Sequence, residues 1–323
     1  MMVLIPLVLH IIRLLSKSLH WYNMSSPLSA TMSLDELTQV VPQPFELPSD
    51  HVSPPPKKHP TFLTKLIKVL TQIQKYSSYT FLGFFGLHIA STVVVPGLGI
   101  NAEKCQDIFE MCRNVYLGPL VEYLAIYAAG GIHLASGVCL RVLRLFSSRT
   151  RAQPKDFLIK DEYREDIGLG GLGTLLGLGY KRSWISSTFP SFTPLTFSGY
   201  VMAVCLGFHW FKMRLAPMLV DGDSSLVTLK YVTHYLHQSP FGKWGAFCNY
   251  AMLVLLLWVS FYHIVSGLFK WRRQVRARAK KIAYGVIGTF TSLSVIAILR
   301  MNLWPLDTGF MGKQFAKYLF VEA

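Results

Sequence analysis

The chain has 323 residues, 51% of them hydrophobic and only 15% charged, with a mean hydropathy of +0.36. A composition this apolar argues against an ordinary water-soluble domain. The net charge of +15 does not point to nucleic acid, because the basic residues cluster beside apolar runs, where a membrane protein keeps its topogenic charge.

Residues 1–23 are apolar, with Arg13 and Lys17 and no acidic residue. They read as a targeting segment, as an interfacial amphipathic helix, or as an extension ahead of a start at Met24 or Met32. Residues 24–60 are rich in proline and serine, so 1–60 is expected to be a disordered leader. Within it, Val41-Pro42-Gln43-Pro44-Phe45 is a pre-extended peptide with apolar residues on both sides of a Pro-x-Pro core. Such a peptide loses little entropy on docking into a groove or onto a sheet edge. Residues 61–77 alternate apolar and basic positions at helical spacing, which predicts an amphipathic helix on a membrane surface.

Five apolar runs follow, at 79–98, 120–142, 197–216, 246–269 and 282–303. Each is about 20 residues or longer, enough to cross about 30 Å of hydrocarbon. A tail, 304–323, ends the chain. The loops at 143–196 and 270–281 are basic, whereas 99–117 is slightly acidic. Basic loops on one face put the N-terminus in the cytosol and the C-terminus across the membrane. The run Gly168-Leu169-Gly170-Gly171-Leu172-Gly173 has no preceding strand and no acidic residue at the ribose distance, so it reads as a loop, not a nucleotide site. Of five cysteines, Cys139, Cys205 and Cys248 fall inside apolar runs, and only Cys105 and Cys112, in one short loop, are near enough for a bridge.

Two signatures recur. Gly86-Leu87-His88, with Pro96 eight residues on, reappears as Gly207-Phe208-His209 with Pro217. His133-Leu134-Ala135-Ser136-Gly137 reappears as His263-Ile264-Val265-Ser266-Gly267. The copies, 78–146 and 198–273, are each a helix pair in the same orientation, which implies a pseudo-twofold axis along the membrane normal. The fold class is therefore all-α: a polytopic membrane protein, a bundle of five transmembrane helices with a duplicated helix pair, plus the cytosolic leader.

Ionisable residues inside a bilayer are costly and usually face the bundle interior. Counted from the expected cytosolic ends at about 1.5 Å per residue, all four histidines fall about 10 to 20 Å deep, in one slab. Four imidazoles so placed suit bis-histidine ligation of haem b, or a network bonded to carbonyls and hydroxyls of neighbouring helices. Ser136 and Ser266 lie one turn beyond their histidines on the same face. No nucleophile triad, metal-ligand spacing or nucleotide loop argues for covalent catalysis.

The paired signatures, the basic loops and the Val41–Phe45 segment together resemble the fungal mitochondrial outer-membrane adaptor family of MDM-ten-complementing proteins. The resemblance covers 78–303 and the short motif upstream. It implies a role in mitochondrial lipid homeostasis, with no cofactor required. It also implies docking of a bridge-like lipid-transfer protein of the vacuolar-sorting-thirteen class on Val41, Pro42, Pro44 and Phe45, and scrambling of phospholipids by the membrane part. The helical part also looks distantly like the haem-carrying anchors of succinate dehydrogenase and fumarate reductase, but it lacks the arginine expected beside the first-helix histidine. A lipid bridge that fills one leaflet needs lipid to cross to the other, along polar groups in the membrane. The candidate track is His88, His133, His209, His263, Glu122, Ser136, Ser266 and the Thr289, Thr291, Ser292, Ser294 group.

Overall fold

The computed structural model describes residues 62–150, 193–272 and 277–320. The leader with Pro42 and Pro44, the glycine run 168–173 and residues 273–276 of the second basic loop lie outside them. The chain divides between Lys68 and Val69. Of the N-terminal unit only 62–68 is described, two helical turns with Phe62 exposed. The unit from Val69 onward holds everything that follows.

Every element among the described residues is helical. Helix α1 runs without a break from Phe62 to Gly97, so no boundary at residue 77 separates a surface helix from a first span. No glycine or proline interrupts residues 62–82, and nothing local would stop the helix there. Helix α2 is Ala102–Tyr116, capped by the Asn101 side chain, which accepts from the Lys104 amide at 3.1 Å. Helix α3 (119–150) starts with Pro119, where a missing N–H costs nothing. Helix α4 (194–221) is capped by the Thr193 hydroxyl and ends at Gly222, whose φ of 81° closes the last turn. Helices α5 (Leu229–His237), α6 (Gly242–Arg272), α7 (Ala277–Asn302) and α8 (Gly309–Leu319) are the remaining elements among the described residues.

Among the described residues, four helices are long and apolar enough to cross a membrane: α1, α3, α6 and α7. The expected span 197–216 lies within α4, which is as continuous but carries Lys212 and Arg214 in its last third. The chain is a helical, multi-pass membrane protein with the duplicated helix pair the sequence predicts.

The duplication reaches the backbone. Just before Pro96, residues Ala90–Val94 form a π turn, and just before Pro217, Phe211–Leu215 form another. A proline cannot donate to the carbonyl four residues back, and its ring crowds that carbonyl; a wider turn relieves both. In α1 the Ser91 and Thr92 hydroxyls donate to the carbonyls of Leu87 and His88, with Thr92 to His88 at 2.6 Å. The second helices match less closely, since α3 has a π turn at Glu122–Ala128 and α6 is regular.

Helix α4 packs on α6, α6 on α7, and α7 on the end of α1. At that end the short helices α2, α5 and α8 form a cap. Its core joins Ile89 and Val93 of α1, Phe109 of α2, Tyr231 and Leu236 of α5, Ile298 and Met301 of α7, and Phe315 and Tyr318 of α8. The stretch 304–323 is thus more than a tail, because α8 buries Phe315, Tyr318 and Leu319. Tyr318 and Gln314 both donate to Asp221 at the end of α4. Burial first, and then Asp221, push the Tyr318 hydroxyl well above its usual range. Lys230 pairs with Asp307 at 2.8 Å. Cys105 and Cys112 are buried and free.

Gly97 lets α1 meet α7. A Cβ there would lie 2.9 Å from Leu293 Cγ and 3.1 Å from the Leu293 carbonyl oxygen, and the backbone cannot yield cheaply. We expect Gly97→Ala to lower stability by about 1–3 kcal/mol in detergent denaturation. Gly83→Ala, with nothing within 4 Å of its Cβ, should be neutral or gain up to about 1 kcal/mol from helix propensity. Equal responses from the two would contradict this close approach.

Candidate functional site

Each first-copy histidine meets its counterpart in the second copy. His88 of α1 faces His209 of α4, with ring centres 6.1 Å apart and planes at 68°. His133 of α3 faces His263 of α6, at 6.2 Å and 85°. Equivalent residues meeting in pairs is what twofold duplication produces at its axis.

The two pairs lie on different levels. His133 Nδ1 is 3.0 Å from the Gln74 carbonyl oxygen, and His263 Nδ1 is 3.2 Å from Ser198 Oγ. Gln74 precedes His88 by 14 residues in α1, and Ser198 precedes His209 by 11 in α4. At about 1.5 Å per residue the levels are about 16 to 21 Å apart. The single slab expected from the sequence is therefore wrong. That count began α1 near residue 79, whereas the helix begins at Phe62 and carries His88 toward its far end. The His88–His209 pair sits beside the cap, and the other pair lies toward the opposite end.

The hydrogen bonds orient the imidazoles. A carbonyl only accepts, so His133 Nδ1 donates to Gln74. Ser198 Oγ lies 2.9 Å from the Leu195 carbonyl oxygen and 3.2 Å from His263 Nδ1, and the Leu195 backbone also bonds the His263 ring. Ser77, at the matching position in α1, donates likewise to the Gln74 carbonyl at 3.1 Å. His88 Nδ1 is 3.4 Å from the Tyr116 hydroxyl, and Phe84 stacks on the ring at 5.5 Å. His209 Nδ1 is buried without a partner among the described residues. All four rings are half-buried. Gly199 makes room for one of them, since a Cβ there would stand 2.9 Å from His263 Cε1.

The other predicted residues divide. Ser136 and Ser266 are buried, as their face requires, but Ser136 donates to the His133 carbonyl of its own helix and Ser266 Oγ has no partner among the described residues. Glu122 pairs with Arg214 at 2.6 Å and accepts from Tyr127 at 3.0 Å. Arg214 and Arg113 both donate to Ser224, joining α2, α3, α4 and the loop after α4 in one polar network. In α7, Ser294 is buried and donates to the Phe290 carbonyl, whereas Thr289 and Ser292 are exposed on other faces. That group does not line one track with the histidines. Gln74, Tyr116, Ser198, Arg113 and Arg214 were not singled out by sequence reasoning. Only Arg214, a cation three residues before Pro217 in an apolar run, carried a signal.

A family model described as MDM10-complementing protein 1, transmembrane domain, matches residues 83–184 and 204–304. The matched segments begin 121 residues apart, the same offset as His88 and His209. No curated protein and no solved structure matches the chain.

The Glu122–Arg214 pair is mostly buried, with side chains 12% and 23% exposed. Breaking one side leaves an uncompensated charge, so Glu122→Gln should cost about 3 kcal/mol. Glu122→Gln combined with Arg214→Gln should cost less than the single changes added together. A double-mutant cycle by denaturation checks the coupling, and additive costs would contradict it.

Proposed function

The chain belongs to the family of MDM10-complementing protein 1 transmembrane domains, and from that membership we propose that it serves lipid homeostasis in the mitochondrial outer membrane. In this reading it is an adaptor: it holds a bridge-like lipid-transfer protein of the vacuolar-sorting-thirteen class at the membrane and lets phospholipids pass between leaflets. The observation that carries the reading is the family match over both copies of the helix pair, 83–184 and 204–304.

The division of labour follows the chain. The Pro42-x-Pro44 core, flanked by Val41 and Phe45, is the docking peptide, and the charge rule puts it on the cytosolic side. The bundle is the lipid-handling part. A headgroup cannot cross bare hydrocarbon, so a protein that lowers this barrier must present polar groups within the membrane. Glu122, Lys212 and Arg214, held at the cap end of α3 and α4, are groups of that kind. Such a role involves no covalent step.

Two outcomes are expected. Pro42→Ala with Pro44→Ala should abolish recruitment of the lipid-transfer partner to mitochondria, at unchanged protein level and insertion, as seen by imaging a fluorescent partner. A short extended peptide should bind with about micromolar affinity. In vesicles carrying the purified protein, an outside quencher should reach labelled lipid of both leaflets. Vesicles as protected as protein-free ones would refute the scrambling half, and persistent recruitment would refute the docking half.

A further inference from the structure

We propose that the chain holds the headgroup of a glycerophospholipid in a cleft where α5, α6 and α7 meet, at the cap end of the bundle. The proposal rests on the lipid reading above and deepens it, because it names the place where a lipid of that leaflet sits.

The cleft has a volume of about 670 Å³ and opens to the outside. That is the size of a small-ligand site, with room for a headgroup and its glycerol but not for two acyl chains. Its polar side is formed by His237 at the end of α5, Lys243 at the start of α6 and Asn302 at the end of α7. Phe247, Tyr250 and Phe320 form its apolar side, and no acidic side chain lines it. A lysine and hydrogen-bonding groups without an acid favour an anion. The aromatic wall asks that the anion carry hydrocarbon.

The walls are fixed by the protein itself. Gly245 is buried, and a Cβ there would run into Ser239 and Phe241, so the turn between α5 and α6 lies hard against α6. Asn249 Nδ2 donates to the Tyr235 carbonyl at 2.7 Å and ties α5 to α6. The His237 ring is held through Nδ1, which donates to the Thr233 carbonyl at 2.9 Å. Lys243 is exposed, and no ion pair holds it among the described residues.

Position decides which anion reaches the cleft. Helices α6 and α7 are both long and apolar enough to span, and the cleft lies where one begins and the other ends, on the far side from the basic loop 270–281. Phe241, Trp244 and Phe247 are exposed around it, and the Trp244 and Phe247 rings meet edge to face at 6.4 Å. Exposed aromatic residues at the end of a span mark the headgroup level of a bilayer. From Phe247 an exposed stripe continues along one face of α6 through Ala251 to Trp258. Acyl chains lie along that stripe while the phosphate meets Lys243. A water-soluble phosphate would leave the aromatic residues bare, so the occupant is a membrane lipid.

The test uses the full chain in detergent micelles that contain a phosphatidylcholine with a diazirine near the glycerol end of one acyl chain. After irradiation, labelled peptides are mapped by mass spectrometry. Label should concentrate within residues 236–250, saturate with added lipid, and be displaced by unlabelled phospholipid but not by glycerol 3-phosphate. Lys243→Glu should raise the lipid needed for half-maximal labelling about tenfold, whereas Lys243→Arg should keep it within about twofold. Lys313→Glu, at an exposed cation of α8 away from the cleft, should leave it unchanged. Both lysines are exposed, and size exclusion with circular dichroism shows that each variant is folded. Label spread evenly along the spans overturns the proposal. So does label within 236–250 that ignores Lys243→Glu, or that glycerol 3-phosphate displaces. Labelling reads occupancy alone, so it separates the two readings. A filled cleft in protein that fails the vesicle quencher assay keeps this site and removes scrambling, and an unlabelled cleft in protein that passes removes the site alone.

Discussion

An imidazole in the interior of an apolar helix bundle must have its polar nitrogens met by something other than water, and much of this architecture follows from that demand. In each copy the second helix brings its histidine against the first helix of the same copy: His133 on the Gln74 carbonyl, His263 on Ser198. Each of those two rings also packs edge to face against its counterpart in the opposite copy. The result is a bundle whose halves meet ring to ring. Gly199 narrows α4 just where the His263 ring needs space, so a residue with no side chain is part of the polar arrangement.

The first helices show how a single residue type sets backbone shape at a distance. Pro96 and Pro217 stand at matching places and each is preceded by a π turn. The turn lies between the histidine and the cap, so it sets the angle at which His88 and His209 face each other relative to the helices that end beside α2 and α5. Duplication preserved this device in the first helices. The π turn in α3 has no counterpart in α6, and near it Glu122 takes up Arg214 of the other copy.

Much of this was legible in the sequence, for identifiable reasons. Helical spans announce themselves by length and hydropathy, and the repeat by two identical spacings of histidine and proline. What stayed hidden was of three kinds. Backbone partners such as the Gln74 carbonyl leave no residue signature. Helix starts are blurred where an amphipathic stretch runs into an apolar one, which misplaced the depth of His88. Neighbours in sequence part company on a helix, because each residue turns the side chain by about 100°. That rotation separates Thr289 and Ser292 from Ser294. The cap was also unreadable, since α8 is short and looks like a tail until its aromatic residues are seen against Tyr231 and His234.

Helix α8 sets an order of events during biosynthesis. The apolar sides of Ile89, Phe109 and Tyr231 are completed by Phe315 and Tyr318, more than two hundred residues after Ile89. The spans can form their backbone bonds as they enter the bilayer, but the cap cannot close until the final helix has emerged and reached the far end of the bundle. Until then the ends of α1 and α4 expose apolar surface to water, a window in which a chaperone on that side of the membrane would find its binding site.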